Sequence, residues 1–198
     1  MSKNAPKIAT DYLAQNRNTA PISIGDEWGT PPEIIELVRS FFGRIDVDPA
    51  SNEAAQKRIR ARLYHTKLDN GLSKPWIGKV FLNPPYSRRL IEFFVDKLLV
   101  ELASGRTVAA IMLVNNCADT RWFRKAARAA SMICFPQARV KFLKPDGNKL
   151  GSPPRGQALL YFGPNPEGFK EHFRGLGLVG MLSKRKPPFR RRRYPLSL

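Results

Sequence analysis

Gly78-Lys79-Val80-Phe81-Leu82-Asn83-Pro84-Pro85-Tyr86, followed by Ser87 and an apolar-spaced run over residues 90–102, sets the frame for the whole chain. Its first five residues read as a buried strand. Two consecutive prolines then end the strand, because proline fixes φ and removes a backbone donor. Ser87 is placed to cap the next helix, in which Leu90, Ile91, Phe94, Val95, Leu98, Leu99 and Leu102 keep helical spacing until Gly105. Working outward, Thr30 and Glu33 read as a capping box with Pro31 in the first helical position. Ile34, Val38 and Phe41 then form one face up to Gly43. A short strand over residues 44–47 ends at Asp48-Pro49-Ala50-Ser51, and Ser51 can cap a helix over residues 52–60. Further strands are expected over residues 107–114, 131–135, 139–143 and 157–162, with a helix after Thr120. Strands alternating with helices predict an α/β fold: a Rossmann-like, mostly parallel sheet with helices on both faces. The closing pair of strands without a helix between them predicts an antiparallel edge hairpin.

The chain has 198 residues, with 34 Lys and Arg against 16 Asp and Glu, a formal net charge of +18. With 42% hydrophobic residues it can bury a core, so the charge does not imply wholesale disorder. The longest strongly apolar run, residues 108–114, is far short of the ~20 residues a membrane helix needs. The polar amino terminus carries no signal-peptide core. Two cysteines, Cys117 and Cys134, and two histidines, His65 and His172, make neither a disulfide framework nor a familiar zinc site. The expectation is a cytoplasmic protein without metal or membrane contact and with a polyanionic partner. Residues 1–24 read as a flexible lead-in, 25–165 as the main domain, and 166–198 as a short helix with a basic tail.

Both unusual tetrapeptides, Asp48–Ser51 and Asn83–Tyr86, directly follow an expected strand, which is where α/β sheets bind ligands. Asn83 offers a side-chain carbonyl oxygen, Pro84 a free backbone carbonyl, and Tyr86 a flat ring. Two acceptors beside a stacking ring suit an exocyclic amino group on a planar base. Hydrogen bonds to its two protons would favour a pyramidal nitrogen with its lone pair available. The bland alternative is a rigid strand-to-helix turn. Asp48, at a strand's carboxyl end, can accept from ligand hydroxyls or an ammonium, or can act simply as a turn residue.

Asn83-Pro84-Pro85-Tyr86 resembles the catalytic motif of amino-methyltransferases that use S-adenosylmethionine. The ordered set Trp28-Gly29-Thr30-Pro31, residues 46–51, Asp69-Asn70-Gly71-Leu72 with Trp76, residues 80–87, residues 139–142 and residues 151–156 resembles the phage-type DNA N6-adenine methyltransferases, a small Dam-like family. The resemblance covers about residues 25–165. It implies a Rossmann-like methyltransferase fold and methyl transfer from S-adenosylmethionine to adenine N6 in double-stranded DNA, with no covalent enzyme intermediate. Asn83, Pro84, Pro85 and Tyr86 would be catalytic, Tyr86 stacking on a flipped base. Trp28, Thr30, Pro31, Asp48, Pro49, Ala50 and Asp69 would meet the cofactor. It also implies a phage or prophage origin, action as a monomer in a bacterial host's cytoplasm, and a link to restriction-modification. One departure stands out: residues 48–53 contain no glycine, whereas a glycine loop usually follows the first strand. No insertion is large enough for a separate recognition domain, so Arg139, Lys141, Lys144, Lys149 and Arg155 become the DNA-contact candidates within the main domain. RNA or protein-glutamine methylation, and a catalytically inactive nucleic-acid-binding module, stay open as alternatives.

The last fifteen residues carry seven of the basic side chains and no acid, with Arg190, Arg191, Arg192 and Arg193 in one run. Such a block reads as a phosphate-binding arm or a solubilising tail. Each phosphate neutralised adds ~0.9 to the salt slope of log affinity. A chain ending at Ser183 should therefore show a slope shallower by roughly 3 to 6, equally on target and unrelated duplexes. Duplex affinity titrated against salt reads this, and an unchanged slope makes the tail a solubility device.

Overall fold

The computed structural model describes residues 28–86, 90–144, 147–148 and 153–182. Its layering follows from strand β4 (Thr107–Asn115), which is buried along almost its whole length. Ala110, Met112 and Val114 enter one core, while Ala109, Ile111 and Leu113 enter the other. Successive strand residues face opposite sides, so a strand apolar at both parities must be covered on both faces. Strands β3 (Gly78–Leu82) and β6 (Gln157–Phe162) divide in the same way. Helices α3 (Leu90–Ala103) and α4 (Arg121–Ala129), with the 3-10 turn Gly71–Ser73, cover the first core. Helices α1 (Pro32–Phe42), α2 (Glu53–Ile59) and α5 (Pro166–Phe173) cover the second.

With β1 (Val47–Asp48), β2 (Leu63–Tyr64), β5 (Met132–Pro136) and β7 (Gly177–Gly180), these strands form one seven-stranded sheet in the order β2-β1-β3-β4-β6-β5-β7. The first four are mutually parallel. β6 runs antiparallel to both β4 and β5, and β7 antiparallel to β5. The Rossmann-like α/β class read from the sequence is the observed one. Phe169 and Phe173 of α5 are fully buried in the second core.

Several local readings differ from the structure: β1 is shorter than expected and shifted to include Asp48, and the two-residue β2 was not expected. Residues 139–143 form no strand: both neighbours of β6 are already β4 and β5, so that segment finds only one bridge, Leu143 to Gly29. Its alternation of buried Val140 and Phe142 with exposed Lys141 comes from lying along the edge of the second core. Helix α1 begins one residue later than expected, at Pro32. Pro31 is its extended N-cap, and there is no side-chain cap. Helix α2 is capped by Asn52 rather than Ser51, the Asn52 side chain accepting from the Ala55 amide. β7, four residues between glycines, carries too short a pattern to be read as a strand. The lead-in over residues 1–24, the Ser87 cap, Lys149 and the tail with Arg190, Arg191, Arg192 and Arg193 lie outside the described residues. Among the described residues, no helix is long and apolar enough to cross a membrane.

Glu101, on α3, is fully buried and pairs with both Lys97 and Arg106. Burial alone would raise its pKa, but hydrogen bonds from Arg106 and Lys97 hold it below the usual range. Removing one partner of a buried pair leaves the other charge uncompensated, at a cost of ~3–5 kcal/mol. Arg106 can turn to solvent, whereas Lys97 is nearly buried. Glu101→Ala should therefore fall at the low end, about 3 kcal/mol, lowering Tm by roughly 6–12 °C. A thermal melt checks this, and a loss within 1–2 °C would mean that Lys97 finds solvent unaided.

Candidate active site

Strands β1, β3 and β4 are parallel, so their carboxyl ends meet at one edge. There they present Asp48, then Asn83 to Tyr86, then Asn115. Across this edge runs the segment Trp28-Gly29-Thr30. Asn83 Nδ2 donates to the Trp28 carbonyl at 3.0 Å and to Thr30 Oγ1 at 3.2 Å. This is where the Thr30 hydroxyl goes instead of capping α1. With both amide hydrogens committed, Oδ1 is set as an acceptor, and no described residue engages it. Pro84 is buried and Pro85 half-buried. The Tyr86 hydroxyl accepts from the Asn115 amide at 2.6 Å, which fixes the ring against the end of β4. Burial raises the Tyr86 pKa, so the phenol stays neutral.

Asp48 is 2% exposed. Its carboxylate accepts from the Ala50 amide at 3.3 Å and from Gln56 Nε2 at 2.9 Å. No lysine or arginine among the described residues pairs with it. Desolvation therefore dominates and pushes its pKa up to about 6, despite hydrogen bonds from Ser51, Ala50 and Gln56. Pro49 is buried and Ala50 half-buried beside it. The glycine-free turn is packed from outside: a Cβ on Gly71 would stand 2.0 Å from the Pro49 carbonyl oxygen. Trp76 Nε1, donating to the Gly71 carbonyl at 2.9 Å, ties that glycine to the core.

The remaining candidates divide. Trp28 is half-buried with its ring 5.5 Å from that of Phe142, and Thr30 and Pro31 are buried. Asp69 is exposed, and its Oδ2 accepts from the Thr66 amide and hydroxyl at 2.8 and 2.7 Å, closing a turn. Those bonds lower its pKa. Arg139, Lys141, Lys144 and Arg155 are all exposed. Arg139 donates to the Pro153 carbonyl and Arg155 to Cys117 Sγ.

Gln157 was missed from the sequence. It is 3% exposed, and its Nε2 donates to Asn115 Oδ1 and to the Arg155 carbonyl. Its Oε1 accepts from the Val140 amide. One side chain thus binds the strand end that holds Tyr86 to the segment carrying Arg139 and Lys141. The available signal was a lone amide opening the otherwise apolar strand Gln157–Phe162. Among the described residues, no group of His, Cys, Asp or Glu could hold a metal ion.

Residues 17–172 match the family described as DNA N-6-adenine-methyltransferase (Dam). The chain belongs to this Dam family. It is also 30% identical, over 121 residues, to a DNA N-6-adenine-methyltransferase of Escherichia phage T1. That alignment covers 60% of this chain and 48% of the phage protein, so the chain spans about half the length of the curated relative it matches. The Dam-family match takes in the strand ends bearing Asp48, Asn83 and Asn115, together with Gln157.

Asp48 makes a titration prediction. A raised folded pKa gives stability that is fully present below the unfolded value of 3.8 and lost as pH rises through about 6. Between pH 4 and pH 8 this residue should remove about 2 kcal/mol. Asp48→Asn should lack that decline, so urea melts of the two chains should diverge in the variant's favour towards pH 8. A difference constant with pH would mean that the carboxyl titrates normally.

Proposed function

We propose that this chain transfers a methyl group from S-adenosylmethionine to the N6 amino group of adenine in double-stranded DNA. The observation that carries this reading is the Asn83 amide, held by Trp28 and Thr30 so that Oδ1 remains as an acceptor, one residue before Pro84 and three before the anchored Tyr86. Family membership and the phage T1 relative's name support the same chemistry.

A cationic cofactor fits the site, because Asp48 is a buried carboxylate with only neutral donors around it. When bound, S-adenosylmethionine supplies a methyl group activated by a sulfonium. Asp48 would accept from its ammonium or hydroxyls, with Trp28, Thr30, Pro31, Pro49 and Ala50 lining the pocket. Asp69, closed on Thr66, can contribute only at its margin. Asn83 Oδ1 and the Pro84 carbonyl would each accept one N6 proton, drawing the lone pair out of conjugation. Tyr86 would stack on the base, whose extrusion from the duplex takes it out of its neighbours' reach. As N6 takes the methyl and the sulfonium leaves as a neutral thioether, positive charge would grow on N6, and the bond to Asn83 Oδ1 would strengthen with it. One N6 proton then leaves to solvent.

Protein-glutamine methylation fits a chain of net charge +18 poorly, and RNA methylation gains no support from the family. The test is to incubate the protein with tritiated S-adenosylmethionine and duplex DNA, RNA or protein, then identify the labelled residue. N6-methyladenine in DNA is expected. Asn83→Ala should lose ~10²–10³ in turnover, the usual effect of removing one preorganised charge-stabilising group, while still binding cofactor. Label in RNA or protein alone, or near-normal turnover in the variant, would overturn the reading.

A further inference from the structure

We infer that the outer face of α4 is a docking strip for the sugar-phosphate backbone of the DNA duplex. This rests on the DNA reading above and extends it to a surface that the motifs do not touch. Helix α4 is two-sided. Phe123, Ala126 and Ala127 are buried in the first core, with Trp122 packed against it. Arg121, Arg124, Lys125 and Arg128 are all exposed and line one open depression. Their spacing, i, i+3, i+4 and i+7, puts them on one face.

A merely solvated helix face mixes signs, because opposite charges three or four residues apart support the helix and like charges oppose it. Here residues 121–129 contain no acid. Arg121 also sits in the first turn, where the helix dipole disfavours a cation. Among the described residues, only Lys125 is offset, by Asp96 of α3 at 2.7 Å. The face therefore stores like-charge repulsion that a polyanion relieves. Breaking local rules in this way is expected where function demands it.

Placement and dimensions select the duplex backbone. α4, capped by Thr120, starts a few residues beyond the carboxyl end of β4, where Asn115 holds Tyr86. Seven helical residues span roughly 10.5 Å, and one DNA strand carries a phosphate about every 3.4 Å along the axis. The row from Arg121 to Arg128 therefore runs alongside about three phosphates. Arg124 has a second task, since its Nη1 donates to the Asp119 carbonyl at 2.6 Å and braces the loop leading from Asn115. That leaves Arg121 and Arg128 as the phosphate contacts with no partner among the described residues.

The test compares the full chain with the double variant Arg121→Gln and Arg128→Gln. A control of equal charge change is Lys74→Gln with Lys170→Gln, exposed positions before β3 and on α5 that do not belong to α4. Duplex affinity is titrated against salt without cofactor, so the result does not depend on methyl transfer. With ~0.9 per phosphate, the salt slope should fall by about 2 in the arginine variant, for target and unrelated duplexes alike, and stay unchanged in the control. In thermal melts the arginine variant should be no less stable than the full chain, since two like charges have left the face, and the control should melt as the full chain does. An unchanged slope, an equal fall in the control, or a loss confined to one sequence would overturn the proposal. So would tighter binding of single-stranded RNA that the same variant abolishes. A fall of about 2 with no methylation of DNA would keep this surface and reject the enzymatic reading.

Discussion

Two-sided burial of β4 is the constraint on which the rest depends. Because both parities of its side chains are apolar, α3 and α4 must lie on one face and α1, α2 and α5 on the other. Helical crossovers make β1, β3 and β4 parallel, and parallel strands bring Asp48, Asn83 and Asn115 to the same edge. The site is therefore a consequence of core packing before it is a matter of polar chemistry. The polar bonds then do the finer work: Asn83 to Trp28 and Thr30, Tyr86 to Asn115, and Gln157 to Asn115 and Val140 each join two segments that the sheet has brought close.

Much of this was legible in the sequence, for a physical reason in each case. β3 and β6 are apolar along most of their length and end in turn chemistry, so their limits were read correctly. Thr120 caps α4 as its hydroxyl suggests, accepting from the Phe123 amide. What was not legible depended on distant partners. Thr30 looks like a helix cap until Asn83, 53 residues away, takes its hydroxyl. Residues 139–143 look like a strand until both flanks of β6 are seen to be filled. Gln157 looks incidental, because the three segments it joins are far apart in sequence. Asp69 is the reverse case: its reading as a turn residue is local, and the turn it closes with Thr66 is local too.

Function in this fold is most visible where the rules of stability are set aside. Glu101 and Asp48 are both buried carboxylates, but the protein treats them differently. Glu101 has two cations within reach and its pKa is lowered, so its charge is structural and self-contained. Asp48 has only an amide, a hydroxyl and a carboxamide, and its pKa rises to about 6. A chain with 34 basic side chains had every opportunity to place one beside Asp48, and α2 carries Lys57 and Arg58 close by in sequence. The turn is covered from outside, by Gly71 close against the Pro49 carbonyl and by Trp76 bonded to Gly71. On the surface, α4 likewise carries Arg121, Arg124 and Arg128 with no acid on the same helix, and Asp96 of α3 meets only Lys125 among the described residues.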